Sequence, residues 1–279
     1  MKNILITIIV AITISANATN PKKERIVSIY SGFTEIITEL GAKDQIVACT
    51  KVYAKDLGVP SVGNHMHPSI EAIIAAKPTI VISYAKDASR YYKLSEYLKK
   101  LNIKYMPFYP ATIKETKAMI LKLGSLLHKE DEAKQRVRSI ENKITLTKKY
   151  LKENKAASPK RVFFEVRQSP MLLTCGNHSI TADIIRTSGG YPLTINDKTV
   201  GVINIEKVLT FQPDFYIQQI GAMNRRPIPP NKMHFISKLE CIKQGKFITI
   251  DEKRISRPSL SIGDTIYDLA QKLYSQNKN

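Results

Sequence analysis

The sequence predicts an α/β protein made of two Rossmann-like lobes with central parallel sheets, joined by one long α-helix. Apolar, strand-like runs alternate with helical patterns along the chain, which is typical of a parallel sheet covered by helices on both faces. The alternation begins again after a long polar stretch in the middle of the chain, at residues 131–157. These observations favour two similarly built lobes over one large domain.

The long helix is predicted from residue spacing. From Asp131 to about Asn154 the chain contains no Pro or Gly and consists mostly of strong helix formers. At about 1.5 Å per residue this helix would be roughly 35 Å long. We therefore predict a strut between an N-terminal lobe, 19–130, and a C-terminal lobe, 158–279, although a long surface helix of a single domain is the alternative. The apolar stripe recurs at steps of four and three: Ala133, Val137, Ile140, Ile144, Thr147 and Leu151.

Residues 1–18 have the pattern of a secretory signal peptide. A short basic start precedes an apolar run at 4–14, and Ala16-Asn17-Ala18 has the small-x-small form of a cleavage site. The run is shorter than a typical membrane span. Because no Cys follows it, a lipid anchor is not expected, and we predict a mature chain from about Thr19 in the periplasm.

The chain is strongly basic, with 43 Lys and Arg against 24 Asp and Glu, a formal net charge of +19. Such a balance can indicate nucleic acid, an anionic membrane or an acidic ligand. The lysines are spread along the chain, and export argues against nucleic acid. An anionic ligand is the best functional interpretation; a generally basic proteome is the alternative.

The three cysteines cannot all pair with one another. Cys49 lies in an apolar run and is expected to be a small buried side chain. A disulfide between Cys175 and Cys241 is possible in an oxidising compartment, and the sequence leaves it open.

In the first lobe a near-continuous apolar run at the start indicates a strand buried on both faces. The predicted strands are 25–30, 46–49, 79–83 and 104–108, and the predicted helices are 33–40, 68–77, 89–101 and 113–127.

In the second lobe the segment 221–232, GAMNRRPIPPNK, is too rich in Pro and Arg for regular structure and is predicted to be a loop. The predicted strands are 161–166, 171–174, 214–218 and 247–250, and the predicted helices are 179–188, 205–211 and 259–274.

The two halves repeat a short pattern. Glu71 lies seven residues before Pro78, and Glu206 lies seven residues before Pro213, 135 residues further along the chain. Each Glu stands near the start of a predicted helix, and each Pro precedes a strand. The basic residues that open the first strand of each lobe repeat at nearly the same offset: Arg25 and Arg161.

Five segments of the chain carry a family resemblance: ERIVSIYSGFTEIITELGA, VGNHMHPSIEAIIAAKPTIVI, KRVFFEV, VINIEKVLTFQPDFYI and Arg254-Ile255-Ser256-Arg257-Pro258. They resemble the substrate-binding proteins of bacterial ABC importers for ferric siderophores, haem and cobalamin. The resemblance covers nearly the whole mature chain. It implies two lobes bridged by one long helix, with the ligand in the cleft between them and only slight opening and closing.

The resemblance also implies that one acidic side chain on each lobe docks onto basic residues of the membrane permease. By motif position these are Glu71 and Glu206. Charges at a rim favour correct orientation and fast encounter. The alternative is that a Glu in a first helical turn only complements the helix dipole.

Ligands of doubly wound sheets bind beyond the carboxyl ends of the strands, and this rule selects the candidate contacts. In the first lobe they are Tyr30, Asn64, His65, Met66, His67 and Tyr84. In the second lobe they are Arg167, Met223, Asn224, Arg225, Arg226 and Arg257.

Each candidate ligand contact has an alternative role that is purely structural. The arginines could hold carboxylates, catecholates or haem propionates by paired hydrogen bonds, or form a solvated basic loop; for Arg257 a purely structural role is open. The tyrosines could ligate ferric haem, stack on a chelate or pack at strand ends. Met223 could contact the ligand or fill the core.

His65 and His67 are candidate metal ligands, because imidazole suits transition metals and an extended backbone would place both on one face. His-x-His alone is a weak signal, and solvated loop histidines are the alternative. A second hypothesis is therefore direct binding of a metal ion or small complex, such as nickel.

The leading hypothesis is a monomeric periplasmic receptor that carries a metal chelate to an ABC importer, with no intrinsic cofactor and no catalytic residue. The rival from another class is a secreted enzyme with an unrecognised site. The sequence contains no G-x-S-x-G, G-x-G-x-x-G, P-loop or H-E-x-x-H motif that would support it.

Overall fold

Two four-stranded parallel sheets, one in each half of the chain, form the centre of the structure. The computed structural model describes residues 23–154, 156, 158–196 and 198–275, so the predicted signal peptide lies outside the described residues. Throughout those ranges every helix is too short or too polar to cross a membrane. The predicted fold class, two α/β lobes joined by one long helix, is confirmed.

The N-terminal sheet has the strand order β2-β1-β3-β4. Strands β1, β2 and β3 are buried on both faces, as expected for near-continuous apolar runs, whereas the edge strand β4 is buried only at Met106. Ile26 packs on the side that faces α1 and α5, and Val27 packs on the opposite side with Ile73 and Leu98. The strands are β1 Ile26–Ser28, β2 Ile46–Cys49, β3 Ile80–Tyr84 and β4 Lys104–Phe108. The helices are α1 Ser31–Glu39, α2 Lys51–Leu57, α3 Ile70–Ala75, α4 Tyr92–Lys100 and α5 Ile113–Leu127.

The connector is helix α6, Glu130–Glu153. It begins one residue before the predicted stretch and ends earlier, where Asn154 donates its backbone N–H to the Tyr150 carbonyl. The predicted stripe faces the protein: Ala133, Val137, Ile140 and Thr147 are buried, and Ile144 and Leu151 are half-buried.

The C-terminal sheet has the order β10-β9-β5-β7, and an antiparallel pair, β6 and β8, lies beside it. The sequence predicted β6, as 171–174, but not its partner β8, because a three-residue strand is too short to show a hydrophobic period. The strands are β5 Lys160–Glu165, β6 Leu173–Cys175, β7 Gly190–Pro192, β8 Val200–Val202, β9 Phe215–Ile220 and β10 Phe247–Asp251. The helices are α7 Ile180–Thr187, α8 Ile205–Phe211, α9 Glu240–Lys243, α10 Glu252–Ile255 and α11 Ile262–Tyr274.

One apolar core runs through both lobes by way of α6. It includes Ile120 and Leu123 from α5, Ile140 from α6, and Ile266 and Leu269 from α11. The helices approach closely because small residues lie at the contacts. A Cβ on Gly124 of α5 would lie 2.3 Å from the Cβ of Ala133, and one on Gly263 of α11 would lie 2.9 Å from the Cα of Ile140.

Cys49, Cys175 and Cys241 are all free and buried. The disulfide that the sequence left open between Cys175 and Cys241 is therefore not formed. Burial raises the pKa of Cys175 to about 12 and that of Cys241 to about 11, so both thiols are protonated at neutral pH.

Replacing Gly263 by Val should separate α11 from α6, because the backbone of Ile140 cannot move aside as a flexible side chain could. Overpacking of this kind costs about 1–3 kcal/mol of unfolding free energy. Urea unfolding measures the loss. The matched control is Gln271→Ala, at an exposed position of the same helix, and equal stability of the two variants would contradict the close packing.

Candidate functional site between the lobes

Three tyrosines form a row along the carboxyl edge of the N-terminal sheet. Tyr30 follows β1, Tyr84 ends β3 and Tyr109 follows β4, and these strands are neighbours in the sheet. The rings of Tyr30 and Tyr84 are stacked, with centroids 4.6 Å apart and planes 21° apart. The rings of Tyr84 and Tyr109 are 4.9 Å apart and tilted by 41°. The row presents π faces to which a flat or aromatic molecule can bind.

The sequence predicted Tyr30 and Tyr84 at this edge but missed Tyr109. Tyr109 carried the same signal, a tyrosine directly after a predicted strand. Its hydroxyl is 2.6 Å from the Thr199 hydroxyl, so this member of the row also connects the two lobes.

The phenols of Tyr30 and Tyr84 are protonated at neutral pH because burial raises the pKa of each. Burial raises the pKa of Tyr30 to about 12, although the Arg257 guanidinium acts in the opposite direction. Burial also raises the pKa of Tyr84, and the neighbouring Tyr30 and Tyr109 add to the effect. Stacking and hydrogen bonding need no deprotonation, whereas coordination of ferric iron by a phenolate would. Ligation of iron would therefore require the loss of a proton that burial makes harder to remove.

The histidine loop lies next to this row. The Asn64 Oδ1 atom accepts hydrogen bonds from the backbone N–H of Met66 (2.8 Å) and of His67 (3.0 Å), which is the pattern of an Asx turn. The backbone consequently bends at 65–67 instead of running extended. The side-chain oxygen of Asn64 thus shapes the loop.

The two histidines have different surroundings. The His65 ring is half-buried and meets the Tyr30 ring edge-on, with centroids 5.8 Å apart. Burial and the nearby Arg90 lower the pKa of His65, so its imidazole is neutral at neutral pH. His67 is exposed. In the described part of the chain no three His, Cys, Asp or Glu side chains are arranged to hold a metal ion.

Met66 is the exposed tip of this loop, with 57% of its surface accessible. Its sulfur accepts a hydrogen bond from Nη2 of Arg90 at 3.0 Å. The Tyr91 hydroxyl donates to the carbonyl of His65. The short helical turn before α4, Ser89–Tyr91, therefore supports the loop from behind.

A cavity of about 430 Å³ adjoins the end of the tyrosine row and is lined by Phe108, Tyr109, Lys86 and Lys122 among others. The Lys86 ammonium lies 5.6 Å from the Tyr109 ring centroid. A larger cavity, about 720 Å³, lies at the amino ends of β5, β9 and β10, which is the opposite end from the one where such sheets bind ligands.

The C-terminal lobe contributes arginines and a buried carboxylate. Arg167 follows β5 and is half-buried, and its Nε–H is enclosed with no hydrogen-bond partner among the described residues. Arg225 and Arg226 are exposed on the loop after β9, and Met223 on the same loop is 43% exposed. Arg167, Arg225 and Arg226, together called the arginine wall, can donate hydrogen bonds to anionic oxygens.

Glu165 holds the loop at 221–232, which is called the arginine loop below. The sequence did not predict this role for Glu165. Its fully buried carboxylate accepts hydrogen bonds from the Tyr216 hydroxyl, from Gln218 Nε2 at 3.1 Å and from Asn224 Nδ2 at 2.9 Å. Burial raises the pKa of Glu165, and these donors oppose the rise. Asn224, which the sequence placed among the ligand contacts, is buried and also donates to the Gln219 carbonyl at 3.0 Å; its side chain fastens the loop to the sheet.

Arg257 links the two lobes. It is 8% exposed, and its Nη1 and Nη2 atoms donate to Ser31 Oγ at 3.0 Å and to Glu35 Oε2 at 2.5 Å. Lys253 reaches the other carboxylate oxygen of Glu35 at 3.5 Å. Of the structural and ligand roles that the sequence left open, these contacts support the structural one.

The two predicted docking glutamates occupy equivalent positions. Glu71 and Glu206 are exposed in the first turns of α3 and α8. The Ser69 hydroxyl donates to Glu71 Oε2 at 3.0 Å, and the Asn204 amide donates to Glu206 Oε2 at 3.5 Å. Ser69 and Asn204 also cap the helices by accepting from Ala72 and Glu206 backbone N–H groups. In each lobe the capping residue therefore also orients the carboxylate.

Comparison with known proteins places this architecture among binding proteins. A family model described as periplasmic binding protein matches residues 26–253. The uncharacterized ABC transporter substrate-binding lipoprotein YvrC of Bacillus subtilis is 23% identical over 91% of this chain and 80% of its own. The vitamin B12-binding protein of Vibrio parahaemolyticus is 24% identical over 75% of this chain and 76% of its own. A periplasmic heme-binding protein from Pseudomonas aeruginosa superposes with a TM-score of 0.77 at 15% identity, covering 91% of this chain and 94% of that one.

The raised pKa of Tyr30 predicts how the unfolding free energy changes at alkaline pH. The unfolded chain loses this phenol proton near the ordinary pKa of 10.0, whereas the folded protein keeps it up to about pH 12. The stabilisation is therefore complete below pH 10 and is lost as the pH rises through 12. Tyr30→Phe cannot ionise, so its unfolding free energy should gain about 2 kcal/mol relative to the wild type across this range.

Urea unfolding at a series of pH values between 8 and 12 measures this difference, with Tyr97→Phe, at an exposed position, as the matched control. Parallel pH profiles for Tyr30→Phe and the wild type would contradict the buried, neutral phenol.

Proposed function

Because the chain belongs to the periplasmic binding protein family, we propose that it captures a metal chelate in the cleft between its lobes and delivers it to an ABC importer. The observation that carries this proposal is the row of tyrosine rings in contact on one lobe, together with the arginines at the strand ends of the other lobe. A chelate with a conjugated face and anionic oxygens is complementary to both. The named relatives bind haem, vitamin B12 or unspecified substrates.

Within that class, the arginines favour anionic chelates. Ferric catecholate siderophores and haem both carry aromatic or conjugated surfaces together with negatively charged oxygens. Arg167, Arg225 and Arg226 can pair with such oxygens in a bidentate manner. Binding and release suffice for this role, so the protein is proposed to be a carrier and not an enzyme, active in the periplasm after its signal peptide is cleaved.

The link between the lobes limits how far they move. Helix α6 shares its apolar stripe with both lobes, and Arg257 binds Glu35 across the cleft. Ligand capture is therefore proposed to involve rearrangement of side chains and of the loops at 65–67 and 221–232, with little rotation of the lobes.

A ligand panel tests the proposal. The purified mature protein should melt at a higher temperature with haemin or a ferric catecholate, since a ligand that binds only the folded state adds about 2.7 kcal/mol at a hundredfold excess over its Kd. Tyr84→Ala should weaken the affinity about tenfold, because an aromatic contact contributes about 1 kcal/mol beyond its buried area. Tyr92→Ala, on an exposed surface, is the control.

The same panel distinguishes chelate binding from the alternative function, direct binding of a metal ion. If no chelate raises the melting temperature but Ni²⁺ or Zn²⁺ does, and His65→Ala with His67→Ala abolishes that shift, the protein binds metal directly. His65 favours this alternative in one respect: its lowered pKa keeps the imidazole free to coordinate.

Permease docking is proposed to use Glu71 and Glu206. The double variant Glu71→Ala, Glu206→Ala should abolish uptake into cells while leaving the affinity for the ligand unchanged, because both side chains are exposed and their hydrogen bonds among the described residues go to Ser69 and Asn204. Radiolabelled or isotopically enriched iron uptake measures transport. The control is Glu96→Ala with Glu240→Ala, one exposed glutamate on each lobe, and loss of ligand affinity in the first double variant would refute the assignment.

A further inference from the structure

Each helix that carries a docking glutamate is held at its far end by one arginine of the same lobe. In the N-terminal lobe, Arg25 donates from Nη2 to the carbonyl of Ala76 at 2.7 Å and from Nε to the carbonyl of Lys77 at 2.8 Å. Ala76 caps α3, and Lys77 turns the chain with a φ of 47°.

The C-terminal lobe repeats this arrangement. Arg161 donates from Nη1 to the carbonyl of Phe211, the last residue of α8, at 2.9 Å. Its Nη2 atom lies 3.2 Å from Asp214 Oδ1. Gln212 turns the chain with a φ of 49°. In both lobes an arginine that enters the sheet therefore binds the carbonyl five residues after the docking glutamate.

The backbone of each arginine ties the same segment to the sheet. The Arg25 N–H donates to Thr79 Oγ1 at 2.9 Å, and the Thr79 N–H donates to the Arg25 carbonyl at 2.9 Å. The Arg161 N–H donates to Asp214 Oδ2 at 2.7 Å, and the Asp214 N–H donates to the Arg161 carbonyl at 2.8 Å. Both the side chain and the backbone of each arginine therefore hold the segment that runs from the docking helix to the next strand.

The helices need this support because they are short. Helix α3 has six residues and α8 has seven, and helices of this length are not stable by themselves in water. The last carbonyls of a helix have no partner within it, and a cation near that end interacts favourably with the dipole. An arginine satisfies both requirements with a planar, multidentate group.

We propose that Arg25 and Arg161 are positioning residues for permease docking. Each fixes the orientation and position of the helix whose first turn presents Glu71 or Glu206. This inference rests on the proposed function, since it assumes that these glutamates contact the permease. Neither arginine touches the tyrosine row or the arginine loop among the contacts of the described residues, so docking and ligand binding are separable.

The test uses the labelled full-length mature protein as the probe and spheroplasts of its own organism, lacking the chromosomal copy, as the source of permease. Arg25→Met keeps the side-chain stem but removes every donor, and so does Arg161→Met. Each should weaken binding to spheroplasts on the order of tenfold, a loss comparable to one charge-assisted hydrogen bond, with ligand affinity unchanged. The control is Arg138→Met, at an exposed position on α6.

A second readout separates positioning from general stability. Amide hydrogen exchange should speed up in α3 for Arg25→Met and in α8 for Arg161→Met, while the exchange of α1 and α11 stays as in the wild type. Arg25→Lys, which keeps the charge but lacks the planar guanidinium whose Nε and Nη2 atoms bond the two carbonyls, should fall between the wild type and Arg25→Met. If Arg161→Met does not fold, Arg161→Lys and the Arg25 variants decide the outcome.

The results distinguish the inference from the docking assignment beneath it. If Glu71→Ala and Glu206→Ala lose spheroplast binding but Arg25→Met and Arg161→Met bind like the wild type, the positioning role is wrong and docking stands. If the glutamate variants also bind like the wild type, the docking assignment fails, and the positioning role fails with it.

Discussion

The apolar stripe of α6 is the contact on which the rest of the structure depends. Ala133, Val137 and Ile140 are buried in a core that continues into both lobes, and Gly124 and Gly263 allow the neighbouring helices to approach it closely. The ion pair between Arg257 and Glu35 adds a second connection. Because partly buried ion pairs lose hydration energy that offsets much of their attraction, the stripe holds the lobes together, and the ion pair sets how they face each other at the cleft.

The chemistry of the cleft follows from strand direction. Parallel strands end at the same edge of their sheet, so residues that are far apart in sequence, such as Tyr30, Tyr84 and Tyr109, come into ring contact. The opposite lobe obeys the same rule and brings Arg167 and the loop after β9 to its own edge. An aromatic edge on one lobe and an arginine-bearing edge on the other therefore both follow from the direction of the strands.

The sequence was sufficient for the architecture because the architecture depends on local periodicity. The stripe of α6, the strands of both sheets other than β7, and helices such as α5 and α8 were predicted within a few residues. Short elements such as α9 and α10, of four residues each, were not predicted, because their apolar residues are too few to show a period.

The candidate site was only partly predictable, because side-chain roles depend on partners distant in sequence. Arg257 stood at a strand end like the other arginines, but its partner Glu35 is 222 residues away. Asn224 looked like a loop contact until the buried Glu165 was found beneath it. Nothing in the run KRVFFEV shows that its glutamate faces three donors, since that depends on β5 and β9 lying side by side.

The burial of all three cysteines has a practical consequence. With native thiols enclosed and held protonated, a cysteine introduced at the exposed position of Met66 or Met223 would be the accessible thiol for a maleimide dye. A fluorophore could then be attached at one chosen position without any prior removal of the native sulfhydryls.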